Sequence, residues 1–494
     1  MDLRKDATVE LEIQSLALGG NGVGRVDDLV VFVPGAYPGE RVRARVTRRK
    51  PSYAEARLEE VMAASPARRE PPCVHFKAGE CGGCRSQDLD DRAQVEAKTL
   101  QVKETLARLG GPGLAGAEVF DCVPSPAVWR YRNKMEFAFH PGPDGALLLG
   151  LHRRDRFDDV FDLRECWIAS ELTNAIVHET RAFARTAGWA PYHARLHTGL
   201  VRFLAVRHLP ATAHSAVNLI AARDAVPDVE RWAERIADLD PAVRSVVLTV
   251  SDSRANVAFG ARERVLAGTP TIEERLLGLT FEVSANSFLQ TNSAQAEALY
   301  EAAVEEAALT GEERVLDLYC GAGTITLALA RHAASAVGVE SVEGAIADAR
   351  RNAARNGIRN ARFVCGEARA VLRQWARVRE GRVLSPAGAR AHDAKAPLDP
   401  EAYEPFLPDV VLVDPPRAGL HERVIDRVAA LAPRRVVYVS CNPGTLARDL
   451  GLFARLGYAT RRVRPFDMFP HTPHIECVAR LEPAGAAATP TEDR

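Results

Sequence analysis

Val315-Leu316-Asp317-Leu318-Tyr319-Cys320-Gly321-Ala322-Gly323-Thr324 is the stretch whose reading decides the fold. It reads as an apolar strand that breaks into a glycine turn, followed by a helix-like run from Thr324 to Ala330. In such a unit the small residues let backbone approach a ligand closely. Glu340 follows the next strand, 17 residues beyond Gly323. An acidic side chain at that place accepts hydrogen bonds from both hydroxyls of a ribose, so a nucleotide-like molecule fits the turn. A glycine pair alone marks a turn in any α/β domain; Asp317 before it, Glu340 after it and Asp414-Pro415-Pro416 downstream make the pocket specific.

Outward from this unit, strands and helices alternate: Arg314 to Leu318, Thr324 to Arg331, Ala336 to Val339, Val342 to Asn356, Val410 to Val413 and Val436 to Ser440. That alternation predicts a parallel sheet covered by helices. Residues 377–408, rich in Arg, Ala, Pro and Gly, interrupt it and are expected to form a surface insertion. Upstream, residues 7 to about 62 alternate with period two, as in Val9, Leu11 and Ile13 against Glu10, Glu12 and Gln14, with glycine and proline turns between. This predicts a small β-barrel. Asp90 to Leu109 has helical spacing, and 120 to 280 is mixed and mainly strand-like. The expected fold class is therefore multidomain α/β: a barrel over 1–62, a mixed α+β central domain over 63–280, a Rossmann-like domain over 281–482 and a disordered tail over 483–494.

A chain of 494 residues is long enough for two to four cores. Its net charge of −1 announces no polyanion partner, so any basic surface must be local. Arg41, Arg43, Arg45, Arg48, Arg49 and Lys50 supply one such stripe, either a phosphate-binding face or an ordinary solvated strand face. The start lacks a secretion signal, and no run of about 18 apolar residues is present. A soluble, cytoplasmic protein without membrane contact is expected. Nine cysteines in such a chain point to metal binding or catalysis more than to a disulfide frame.

The chemistry-bearing residues cluster late in the chain. Asp414-Pro415-Pro416-Arg417 follows an apolar strand, which sets a carboxylate at the ligand-binding edge of a parallel sheet. Asp-Pro-Pro also occurs in enzymes that methylate exocyclic amines, but those usually carry an aromatic residue after the prolines, where this chain has Arg417. Cys441 also follows an apolar strand and should emerge at the same edge. C5 of a pyrimidine is too poor a nucleophile to attack a methylsulfonium. Addition of a thiolate to C6 makes it nucleophilic, after which C5 must lose its proton. Glu476 is suited to be that base. A single cysteine is more often a small buried apolar residue and a single glutamate more often half of a surface ion pair, yet the combination here favours chemistry. Of the other cysteines, Cys73, Cys81 and Cys84 cluster while Cys166 stands apart. Their spacing leaves an iron–sulfur cluster, zinc (with His75 nearby) and unligated thiols all open.

Together, Asp317 to Thr324, Asp414 to Arg417, Ser440-Cys441-Asn442-Pro443 and Phe469-Pro470-His471-Thr472-Pro473-His474-Ile475-Glu476 resemble the RNA (uracil-5-)-methyltransferase family. Ser287-Phe288-Leu289-Gln290-Thr291-Asn292 resembles its Phe-x-Gln-x-Asn segment. The resemblance implies methylation of uridine C5 with Cys441 as nucleophile and Glu476 as general base. It implies that Gln290, Tyr319, Gly321, Gly323, Glu340 and Asp414 line the site of S-adenosylmethionine. Cys320 is not implied to be catalytic.

It also decides among the cysteine alternatives, implying a [4Fe-4S] cluster on Cys73, Cys81, Cys84 and Cys166, with Cys122 the alternative fourth ligand. Seven residues separate Cys73 from Cys81 where the family pattern leads one to expect five, so either Lys77-Ala78-Gly79-Glu80 bulges outward or the geometry of the first ligand differs. The barrel resembles the TRAM domain, an RNA-binding OB-like fold, which turns the stripe of Arg41, Arg43 and Arg45 into expected RNA contacts. The segments around Arg130, Arg132 and Lys134 and around Arg202 to Arg207 resemble the family's central domain and are expected to meet RNA as well. Barrel plus four cysteines resembles the 23S ribosomal RNA branch. A transfer RNA uridine is the alternative substrate, amine methylation through Asp-Pro-Pro the alternative of another class, and a cluster-carrying RNA-binding module without catalysis a third. No obligate protein partner is evident, so a monomer is expected.

Overall fold

In this computed structural model the described residues are 3–485, apart from 115, 144, 157, 256, 259, 261 and 380–403. The core of the expected insertion and the last part of the expected tail lie outside them.

The amino-terminal strands Thr8–Leu16, Asn21–Val26, Leu29–Pro34, Arg41–Arg49 and Tyr53–Ala63 close into a barrel. Its period-two pattern sends Val9, Leu11, Ile13, Val42, Ala44 and Val46 inward. A side chain at Gly24 would stand 2.5 Å from the Glu12 carbonyl oxygen, which explains a glycine in the middle of a strand. Glu40 is fully buried, and Arg68 grips both its oxygens at 2.6 and 2.9 Å, fastening the barrel to the segment that leaves it. A buried carboxylate is tolerated because it is paired and hydrogen-bonded.

The helix Asp91–Leu109 is capped by Asp90, whose side chain accepts from the amides of Arg92 and Ala93. It packs on the helix Pro443–Arg455 and places Val102 and Leu106 in the core beneath the carboxyl-terminal sheet. Its Gln101 donates to the carbonyls of Leu16 and Ala17 at 3.1 and 2.9 Å, so one helix ties the barrel to the carboxyl-terminal sheet.

The central region is built on a seven-stranded sheet that runs, edge to edge, Arg262–Gly268, Val243–Val250, His214–Ala221, Val201–Leu209, Lys134–Pro141, Leu147–His152 and Val160–Asp162. Helices Glu171–Thr186 and Val229–Ala237 bury Ile176, Val177, Trp232 and Ile236 against it.

The carboxyl-terminal sheet has eight strands in the order Ala361–Cys365, Ser335–Glu340, Arg314–Leu318, Val410–Val413, Arg435–Ser440, Glu476–Pro483, Tyr458–Phe466 and Glu118–Val119. The central parallel strands, such as Val410–Val413 and Arg435–Ser440, are buried on both faces, as helix-covered parallel strands must be. Leu316, Leu318, Val411, Val413 and Val436 enter the core on one face; Val315, Val410, Leu412, Val437 and Val439 enter that on the other. The order reverses between Arg314–Leu318 and Val410–Val413, and a ligand crevice forms at such a switch point, outside the carboxyl ends of the strands.

Candidate active site

The crevice is bounded by three strand ends. Leu318 pairs with Val413 and Val413 with Tyr438. The residues just beyond, Tyr319 with the glycine turn, Asp414, and Cys441 after Ser440, therefore leave the sheet at one edge. Glu476 reaches the same edge from the opposite direction, because its strand is antiparallel to that of Cys441. Ser440 pairs with Cys477, and one further step along that ladder sets Cys441 against Glu476.

Local structure holds each group in place. Tyr319, Gly321 and Gly323 all have positive φ, of 68°, 52° and 83°. A side chain on Gly323 would lie 2.9 Å from the Phe363 ring, so glycine is required for both conformation and space. Glu340 accepts from the amides of Ser341 and Val342 at 2.6 and 2.9 Å and from that of Gly321 at 3.4 Å, which locks the acid beside the turn. Asn442 caps the helix after Cys441, accepting from the Gly444 amide at 3.0 Å, and donates to the Arg417 carbonyl at 3.3 Å. Thr445 donates to the same carbonyl, so the Asp-Pro-Pro-Arg loop and the cysteine loop are joined. Gln290 is held through its carbonyl, which accepts from the Asn133 side chain at 2.9 Å, and the Asn133 amide donates to Thr291 at 2.7 Å.

The electrostatics are dominated by buried acids. Burial pushes the Asp414 carboxyl up to about 7. Burial, then Asp414, push Glu476 up to about 8, while Arg417 pulls it down. Asp317 rises to about 8 through burial and its acidic neighbours, although Thr326 donates to it. The Cys441 thiol is raised to about 11 by burial, Glu476 and Asp414, with Arg417 opposing. One Asp317 oxygen is buried without a hydrogen-bond partner among the described residues. Such a donor set, carboxylates around a glycine turn, fits a ligand that carries a positive charge and a ribose. Arg417, which the sequence marks only as a departure from an amine-methylating pattern, is a cation that lowers both Cys441 and Glu476.

The second cysteine group also converges. Cys73, Cys81, Cys84 and Cys166 line one cavity with Phe76, Leu151, Phe161, Leu163 and Ile168. Lys77, Ala78 and Gly79 stand exposed after the single turn Val74–Lys77, with Gly79 at φ 67°, so the two extra residues pass outside the cavity. His75 spends both ring nitrogens on protein, Nδ1 with Glu80 at 2.9 Å and Nε2 accepting from the Arg164 amide at 2.9 Å. It is not free to ligate. Cys122 lies elsewhere, its amide bonded to Thr99. Among the described residues, no group of three or more His, Cys, Asp or Glu side chains is set to hold a single metal ion.

The expected RNA contacts are largely engaged by protein. Arg41 pairs with Glu10 at 2.9 Å, Arg43 with Glu10 and Glu60, and Arg45 with Glu59 at 2.5 Å. Arg130 donates to the carbonyls of Cys166 and Ala169, pairs with Glu165 and lies over Trp167. Arg132 lies over Phe469, and Lys134 pairs with Glu136 at 2.9 Å. Arg202 and Arg207 are buried, bonded to the carbonyls of Ser251 and Ser253 and of Ser287. Among the described residues no helix is long and apolar enough to cross a membrane.

A switch-point crevice with a thiol and buried acids gathered at one sheet edge is the arrangement of an α/β protein with a ligand site at that edge. The chain belongs to the tRNA (uracil-5-)-methyltransferase family, whose profile matches residues 90–483, and residues 5–58 match the TRAM domain. It is thus an RNA methyltransferase. Uncharacterized RNA methyltransferases of Listeria innocua and Halalkalibacterium halodurans are 37% and 38% identical over 481 and 480 residues, each covering 97% of this chain and 98% of the relative. A crystal structure of Pyrococcus abyssi tRNA (uracil-54, C5)-methyltransferase with S-adenosyl-L-homocysteine superposes with a TM-score of 0.72 at 29% identity, covering 96% of this chain and 99% of that one.

Proposed function

We propose that this enzyme methylates C5 of one uridine in 23S ribosomal RNA, with S-adenosylmethionine as donor. The observation that carries the reading is the placement of Cys441 against Glu476 across an antiparallel ladder, at the edge where Asp414 and the glycine turn emerge. Gln290, Tyr319, Gly321, Gly323, Glu340 and Asp414 hold the donor, which when bound supplies an electrophilic methyl group on a sulfonium. Cys441 Sγ, having lost its proton, adds as the thiolate to C6 of a uridine flipped out of its stack, and the electron pair pushed to C5 takes the methyl group as the methyl–sulfonium bond breaks and leaves its electrons on the donor's sulfur. Glu476 removes the C5 proton. The C6–S bond then breaks and its electrons return to sulfur. A base poised near 8 suits this step, strong enough to take the proton yet ionised in part near neutral pH.

Cys73, Cys81, Cys84 and Cys166 would hold a [4Fe-4S] cluster. Methyl transfer moves no net electrons, so the group serves the fold rather than the chemistry. For the RNA path we propose Arg41, Arg43 and Arg45, which exchange exposed carboxylates for phosphates at little cost, together with Arg132 and Lys134. Arg130 braces the Cys166 loop. The four-cysteine cavity supports the 23S assignment; the likeness to the Pyrococcus abyssi enzyme favours a transfer RNA as the second reading.

The test maps 5-methyluridine in both RNA pools of a deletion strain complemented with wild type or Cys441→Ser. Loss of one 23S modification, restored only by wild type, is expected. Loss confined to transfer RNA would select the second reading, and unchanged 5-methyluridine in both would overturn the function.

A further inference from the structure

The loop from Asp467 to Ile475, which delivers Glu476, is held mainly by elements outside the catalytic sheet. Lys98 of the long helix makes a buried ion pair with Asp467 at 2.6 Å and donates to the Phe469 carbonyl at 3.3 Å. Tyr131 Oη donates to the Pro470 carbonyl at 3.0 Å. The tightest grip is on His471. Its carbonyl accepts from the amides of Arg85 and Ser86 at 2.7 and 3.2 Å, the two residues that directly follow Cys84. Its amide donates to Gln94 Oε1 at 2.9 Å, and Gln94 Nε2 reaches its ring at 3.2 Å. The ring is fully buried and stacks on Trp129 at 3.9 Å, while Trp129 meets edge-on Trp167, the neighbour of Cys166.

His471 also has φ of 64°, a left-handed conformation that a residue with a side chain adopts at a cost of roughly 1–2 kcal/mol. That conformation persists only where the surroundings over-determine it. Here they come from two parts of the cysteine group: the Cys84 loop through two amides, and the Cys166 loop through Trp167, which meets edge-on the Trp129 ring stacked on His471.

We propose that His471 is a positioning residue, the keystone through which the four-cysteine lobe sets Glu476 opposite Cys441. The proposal rests on the C5-methylation reading, and that chemistry makes it separable from a general loss of structure. Addition of Cys441 and transfer of the methyl group come before Glu476 acts. A displaced base therefore leaves the first two steps running and stalls the third, with the methylated uridine still bonded through C6 to sulfur.

The experiment incubates the full-length holoenzyme, as His471→Ala, Gln94→Ala, Cys84→Ser and Glu476→Gln, with S-adenosylmethionine and RNA carrying ordinary uridine, and follows covalent, methyl-labelled complex on denaturing gels. Gln94→Ala removes the acceptor of the His471 amide and the partner of its ring while leaving the buried His471 side chain in place, which guards against a misfolded His471→Ala. Misplacement of a catalytic group by about 1 Å costs on the order of a hundredfold. We expect release of product to slow by up to that factor in the first three variants, with trapped complex accumulating as in Glu476→Gln. Amide hydrogen exchange at Arg85 and Ser86 should quicken in the first three and stay slow in Glu476→Gln. If the first three lower formation and release alike, or change neither, while Glu476→Gln traps complex, the positioning role is overturned. If Glu476→Gln traps nothing, the base assignment itself falls.

Discussion

The thiol at the carboxyl-terminal sheet edge and the four thiols of the central cavity have opposite surroundings. Cys441 leaves a strand at a sheet edge, among Glu476, Asp414 and Arg417. Cys73, Cys81, Cys84 and Cys166 face one another within a wall of Phe76, Leu151, Phe161, Leu163 and Ile168. Burial raises the Cys441 and Cys166 thiols alike, each to about 11. Titration alone does not tell them apart; company does. In the proposed chemistry the Cys441 thiol exchanges a proton beside groups that carry charge. The other four thiols stand beside one another.

The sharpest way to break this contrast is to remove one sulfur from each group. Cys441→Ser should lower methyl transfer on the order of 10⁴-fold or more, as loss of a covalent nucleophile does, without lowering the thermal midpoint. Cys166→Ser should do the reverse in kind, lowering the midpoint by an amount equivalent to about 2 kcal/mol and lowering iron content. Calorimetry and iron analysis beside single-turnover methyl transfer decide the matter. Equal loss of activity with unchanged midpoints would erase the distinction.

The acids around Cys441 sharpen the contrast through pH. Glu476 must be ionised to take the C5 proton, and its pKa is raised to about 8, so the rate of product release should rise with pH through that value. Arg417 lowers both Glu476 and Cys441, so Arg417→Ala should move the limb to higher pH and cost about tenfold near neutrality, equivalent to about 1.4 kcal/mol. Stability carries the opposite sign. A carboxyl whose folded-state pKa is raised opposes folding increasingly as pH climbs from the ordinary carboxylate range through about 8. Glu476→Gln should therefore raise the thermal midpoint at pH 9 and change it least at pH 4. A midpoint difference independent of pH would show that the side chain is not buried as an acid.

The catalytic edge was largely legible in the sequence because its groups are announced by what precedes them. Asp317, Asp414 and Cys441 sit in or directly after short apolar strands, and a parallel sheet brings such ends together whatever the loops do. What was not legible was anything set by contact across the chain. Nothing local to Pro470 or His471 foretells a bond from Tyr131 or from the amides after Cys84. The barrel stripe shows the same limit. Six cations in ten residues read as a phosphate-binding face, but the acids that pair with Arg41, Arg43 and Arg45 come from two neighbouring strands. The pairing follows from register: Arg43 stands opposite Glu10 on one side and Glu60 on the other.

That stripe yields the smallest expected effect and the finest test of how the protein uses its charges. An exposed ion pair contributes about 0–1 kcal/mol, so Arg43→Ala should leave the thermal midpoint nearly unchanged. If the arginine turns from Glu10 and Glu60 to a phosphate when RNA arrives, the same substitution should weaken binding of every RNA sequence alike. It should also reduce the slope of log binding constant against log salt by about 1. The carboxylates give the opposite sign: Glu60→Gln removes a competitor for the guanidinium and should tighten binding at low salt, the gain fading as salt screens both partners. An unchanged salt slope in Arg43→Ala would mean that Glu10 and Glu60 hold the stripe as an ordinary solvated face. The RNA would then be gripped nearer Arg132 and Lys134, beside the loop that carries Glu476.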